Sequence, residues 1–128
     1  THKTSSAASD VYKRQVQKTI EAIKSLGLDE GQIELIDPRT LNPLDLDLIK
    51  SSVRKTGKIL IIHEDNITCG PGAELSALIT EQCFEFLDAP VNRIGSKNSP
   101  IPFHKILEDE ILPQIDTISS KIIELLEY

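Results

Sequence analysis

The stretch GKILIIHEDNITCGPGAELSALITEQCFEFL, residues 57–87, decides the fold. Ile59, Leu60, Ile61 and Ile62 form a short, continuously apolar, β-branched run, the pattern of a strand buried on both faces. The charged triplet His63, Glu64 and Asp65 closes it, and a turn containing Gly70, Pro71 and Gly72 follows. Leu75, Leu78, Ile79, Cys83 and Phe86 then recur at helical spacing from about residue 72 to residue 87. Strand, glycine turn and helix make half of a βαβ unit. In open α/β sheets, ligands and partners meet the carboxyl ends of such strands, so residues 63–74 are the place to look for function.

Working outward, Val16, Ile20, Ile23 and Leu26 mark a helix that Gly27 stops, with Ser9 or Asp10 available to cap a longer version. Residues 33–37 (IELID) read as a short strand, and Pro38 and Pro43 stiffen the connector that carries Arg39. Asp45 is placed to cap a helix with Leu46, Ile49 and Val53 on one face, ended by Gly57. Residues 90–95 read as a third strand and residues 103–110 as a short helix. Pro113 breaks that helix, and Asp116 is placed to cap a last one bearing Ile118, Ile122 and Leu125. The alternation predicts an α/β fold, a three-layer αβα sandwich with a mainly parallel sheet. Residues 1–15, polar and without periodicity, read as a non-native-looking or disordered leader ahead of a domain over residues 16–128.

The 128 residues suit one domain, with 39% apolar residues and only three Phe and two Tyr, so the core must be aliphatic. A net charge of −6 argues against nucleic acid and against an acidic membrane surface. No apolar run approaches the roughly 20 residues that span a bilayer. Cys69 and Cys83 form no CxxC pair, so reduced thiols in a cytosolic compartment are the expectation.

The polar residues at the strand end are the candidates for chemistry. His63-Glu64 opens like the zinc motif HExxH, but position 67 is Ile, so the second ring is missing. His63 as a general base lacks a nucleophile; the plainer reading is a polar cap where the strand meets solvent or another subunit. The 69–72 turn matches neither phosphate-loop pattern. Pro71 removes an amide, and Glu74 sets a carboxylate in the first helical turn, so a tight turn with close helix packing is expected. Cys69 has no catalytic partners in view, and the acidic run of residues 108–110 reads as a solvated face.

Taken together the motifs resemble a family. LIDPRTLNPLD (35–45), KTGK (55–58), HEDNITCGPGAE (63–74), LDAPVNRIG (87–95) and SPIP (99–102) look like the transketolase-type C-terminal domain. Within it they are most similar to the beta subunit of thiamine-diphosphate-dependent 2-oxoacid dehydrogenases of the pyruvate and branched-chain (2-oxoisovalerate) types. Cys69 stands where the family has glycine, Pro71 where it has an aromatic, and Asn98-Ser99-Pro100 where it has Asp-Thr-Pro. The resemblance implies a fragment lacking the domain's first strands, one of them central in the sheet. It implies an assembly and docking role, with thiamine diphosphate and magnesium held by other domains of the parent oxidoreductase. It implies as partners the alpha and beta subunits and the small binding domain of the lipoyl acyltransferase component, in a bacterial cytoplasm or a mitochondrial matrix. No catalytic, cofactor or metal residue is carried over. His63, Glu64, Arg39, Gly70, Gly72, Glu74 and Arg93 are the expected interface residues. The alternatives are the C-terminal domain of a transketolase or deoxyxylulose-phosphate synthase, and a stand-alone protein-interaction module.

Overall fold

The computed structural model describes residues 5–6, 12–29, 31–38, 43–98 and 104–128. The central apolar run becomes β2 (Leu60–Asn66), flanked by β1 (Ser5–Ser6) and β3 (Asn92–Ser96) in a parallel sheet of order β1-β2-β3. Ser5 and Ser6 pair with Ile61 and Ile62; Leu60, Ile61 and Ile62 pair with Asn92, Arg93 and Ile94. Because successive side chains leave a strand on opposite sides, β2 feeds two cores. Leu60 and Ile62 join Ala22, Ile118, Ile122 and Leu125 from α1 (Tyr12–Ser25) and α5 (Ile115–Glu127). Ile59 and Ile61 join Ile49, Val53, Leu75 and Ile79 from α2 (Leu46–Thr56) and α3 (Pro71–Cys83). These are the three layers expected, with an aliphatic core on each side of the sheet.

The helix ends follow local chemistry. Asp45 caps α2 by accepting a 3.1 Å bond from the Leu48 amide. Gly57 ends it in the left-handed region at φ 70°, where its N–H donates to the Val53 carbonyl. The third helix is shorter than its periodicity suggests, passing at Cys83 into a 3-10 turn (Phe84–Phe86). A short helix, α4 (Lys105–Ile111), precedes Pro113.

Three expectations need correcting. Residues 33–38 are not a strand; they lie outside the three-stranded ladder, although Leu35 and Ile36 are buried. Apolar packing and the grip of Ser52 and Lys55 on Glu34 hold the segment against α2, while a cavity of about 140 Å³ separates it from the start of β2. A strand needs a neighbour as well as a pattern, and β1 is only two residues long. Asp116 does not cap α5, because the chain is already helical at Ile115; the cap position falls on Gln114. The Gln114 side chain cannot cap either, being committed to the Asp109 and Leu112 carbonyls and to Lys18. Finally, α1 begins at Tyr12, so a boundary at residue 15 cuts through a helix. Ser9 and Asp10, offered as caps, lie outside the described residues.

Replacing Asp45 by Ala removes the cap of α2. It is expected to lower unfolding free energy by about 1 kcal/mol, read as a lower urea midpoint at unchanged slope.

Candidate functional site

The carboxyl end of β2 is built around a bulge. From Ile62 to Asn66 the strand takes four steps while its partner takes two, from Ile94 to Ser96. Extra residues on one strand bend it and re-aim its side chains. Here they carry His63, which is fully buried, and Glu64, 4% exposed, to opposite faces. Of the two settings expected for this polar cap, solvent or another subunit, solvent is ruled out for both residues, since the ring and the carboxylate are buried within the chain.

Three missing side chains make room for the imidazole. A Cβ on Gly72 would overlap its Nε2 edge, one on Gly95 would lie 2.8 Å from Cε1, and one on Gly70 3.1 Å from the same carbon. Neither ring nitrogen has a hydrogen-bond partner. Burial lowers the His63 pKa below the ordinary 6.5; Asp65, by charge and backbone, pulls it up, and Arg93 pushes it down. The ring is neutral, and solvent does not reach it.

On the other face, Glu64 Oε1 accepts a 3.1 Å bond from Gln15 Nε2, which also lies 3.4 Å from the Pro113 carbonyl. Ser96 Oγ donates to the Glu64 carbonyl at 2.6 Å. Gln15 is fully buried, a functional contact that sequence reading missed by assigning residue 15 to the leader. The available signal was its place one turn before Thr19, on the inward side of α1.

The turn after β2 is pinned from β3. Half-buried Arg93 donates Nη1 to the Ile67 carbonyl at 2.8 Å, the Ile67 amide donates to Ser96 at 3.1 Å, and Asn98 bridges Thr68. Arg93 thus braces its own domain. Cys69, exposed, has φ 58°, the left-handed conformation that glycine adopts without cost. Gly70 opens α3 with extended backbone, Gly72 is buried, and Glu74 is exposed in the first turn. So His63, Gly70, Gly72 and Arg93 are brought together, Glu64 lies behind them, and Glu74 faces out. Arg39 lies outside the described residues.

This arrangement does not fit a diphosphate or its metal. Pro71 has no N–H, the Ala73 amide is spent on the Gly70 carbonyl at 3.0 Å, and Glu74 would repel an anion. Among the described residues, no group of three or more His, Cys, Asp or Glu could hold a metal ion.

A parallel three-stranded sheet with helices on both faces places the chain in the α/β class. Within that class, the chain belongs to the family described as transketolase, C-terminal domain, whose profile matches residues 12–118. It is similar to the acetoin:2,6-dichlorophenolindophenol oxidoreductase subunit beta of Bacillus subtilis, 41% identical over 113 residues, 88% of this chain and 33% of that protein. It is similar to the pyruvate dehydrogenase E1 component subunit beta of Rickettsia bellii, 38% identical over 110 residues, 85% and 34% of the two chains. The 2-oxoisovalerate dehydrogenase subunit beta of Pseudomonas aeruginosa is 45% identical over 91 residues, 71% and 25%. The chain spans about a third of the length of these relatives. A split-gene transketolase, solved as an inactive β4 tetramer, shares the fold at TM-score 0.70 and 21% identity, over 99% of this chain and 39% of that one.

Two substitutions probe the site. Cys69→Gly is expected to stabilise the protein by about 0.5–1 kcal/mol, the left-handed penalty less the added chain entropy. Gln15→Ala strips a donor from buried Glu64 and is expected to cost about 1–3 kcal/mol. Both are read by chemical denaturation; no change in the second would make residue 15 dispensable.

Proposed function

We propose that this chain is the C-terminal assembly and docking domain of a thiamine-diphosphate-dependent 2-oxoacid dehydrogenase beta subunit. One observation carries the non-catalytic half of that reading: the strand end, where an α/β domain ordinarily meets its ligand, is plugged by a neutral, solvent-excluded imidazole. An imidazole with no path to water cannot trade protons with a substrate. The pyruvate and 2-oxoisovalerate dehydrogenase relatives support the choice of parent enzyme over a transketolase. In this reading thiamine diphosphate and magnesium are bound by other domains, and the parent passes an acyl group to lipoamide. The surface formed by the 67–70 turn and Glu74 meets the alpha and beta subunits and the acyltransferase's small binding domain.

A second reading keeps the role and changes the donor. The 41% identity to the Bacillus subtilis subunit favours acetoin as the parent's substrate. Assaying the parent complex with acetoin and with 2-oxoacids separates the two.

Titration calorimetry of this chain with thiamine diphosphate and magnesium is expected to give no heat of binding at micromolar concentrations. Binding there would overturn the division of labour. Co-purification with the remaining portion of the parent beta subunit, supplied in trans, is expected; failure to associate would overturn the assembly role.

A further inference from the structure

The glycine cradle holds a titratable ring out of reach of solvent. Around His63 lie the backbone at Gly70, Gly72 and Gly95, and a methyl of Ile61 faces Gly72 beside it. From β2, Asp65 faces the ring and favours its charged form; from β3, Arg93 opposes it. From α3 the facing residue is Gly72, without charge, and the exposed Glu74 lies farther along the first turn. Glu64 is engaged on the opposite side of the sheet by Gln15. Desolvation outweighs Asp65, so the seated ring binds a proton less readily than an exposed one.

We propose that His63 is a pH-operated latch on the β2–α3 turn: when the imidazole is protonated it leaves its glycine cradle for water, and residues 67–73 loosen with it. The turn rests on the ring's position, since Gly70 and Gly72 pack directly on it. The bonds that would yield are those of the Ile67 amide to Ser96, Arg93 to the Ile67 carbonyl, and the Ala73 amide to Gly70. The sign follows from linkage. Below about 6.5, an imidazole released to water takes up a proton that the seated ring refuses, so acid favours release. Above that value both forms are neutral and the latch has no pH dependence. The latch is read in the turn itself and stands apart from the docking role.

The test is an NMR titration of the full chain from pH 7.5 to 5.0. Ring-carbon shifts follow His63, with a histidine-containing model peptide as the reference. Amide exchange, corrected for its intrinsic pH dependence, follows Ile67 and Ala73 against the Asn92 amide, bonded to Ile59 at the far end of the sheet. His63 is expected to titrate below the ordinary imidazole value of 6.5, and Ile67 and Ala73 to lose at least about tenfold protection as it does, with Asn92 unchanged. His63→Gln is expected to abolish that loss, and Gly72→Ala, whose Cβ overlaps the ring, to show a loosened turn already at pH 7.5. The latch is refuted if His63 titrates at or above the ordinary imidazole value of 6.5, if the turn keeps its protection while His63 titrates, or if Gly72→Ala stays fully protected. Equal loss in His63→Gln refutes it as well. Should that variant not fold, the wild-type comparison of ring and turn decides alone.

Discussion

The seat of the His63 ring against three residues without side chains sets the distances on which this end of the molecule depends. Gly72 brings the start of α3 onto the imidazole, Gly95 brings β3 alongside it, and Gly70 starts the helix over it. Remove the ring and the helix has nothing to rest on; add a methyl at residue 72 and it cannot approach. The bulge in β2 belongs to the same constraint, since without the extra residues the ring would not reach the cradle. A close-packed interior transmits such a constraint widely, because its parts have no free volume into which to relax.

Much of the fold was legible because it depends on short-range chemistry. The apolar run at residues 59–62 demanded a strand buried on both faces, and the stripe from Leu75 to Cys83 demanded a helix over it. Asp45 and Gly57 announced the ends of α2 through hydrogen bonding and handedness, and the structure places both as read. The turn at residues 69–72 was legible as close packing rather than anion binding, because Pro71 and Glu74 spoke against an anion. Cys69, read as standing where relatives have glycine, proved to be the described non-glycine residue with a left-handed backbone.

What escaped depends on partners distant in the chain. A histidine ending an apolar run looks the same in sequence whether it faces water or a glycine-lined slot; only the pairing with Gly95, 32 residues on, decides. Likewise Gln15 and Glu64 are 49 residues apart, and the one local signal, Gln15 standing a turn before Thr19, says nothing of the carboxylate it would meet. Residues 33–37 carried a valid strand pattern, but pairing is a property of two segments, and here Ile36 is buried against α2 and α3 instead.

The two ladders of the sheet differ in what they return for closing a loop. Joining β2 to β3 encloses one helix and aligns Leu60, Ile61 and Ile62 with their partners, an immediate gain in paired backbone and aliphatic contact. Joining β1 to β2 closes a longer excursion, from Ser5 to Ile61, for a rung of two serines. Loop entropy grows slowly with length, so the difference lies mainly in the small reward. The two-residue rung of β1 therefore holds the least paired backbone of the sheet and is the first to fray.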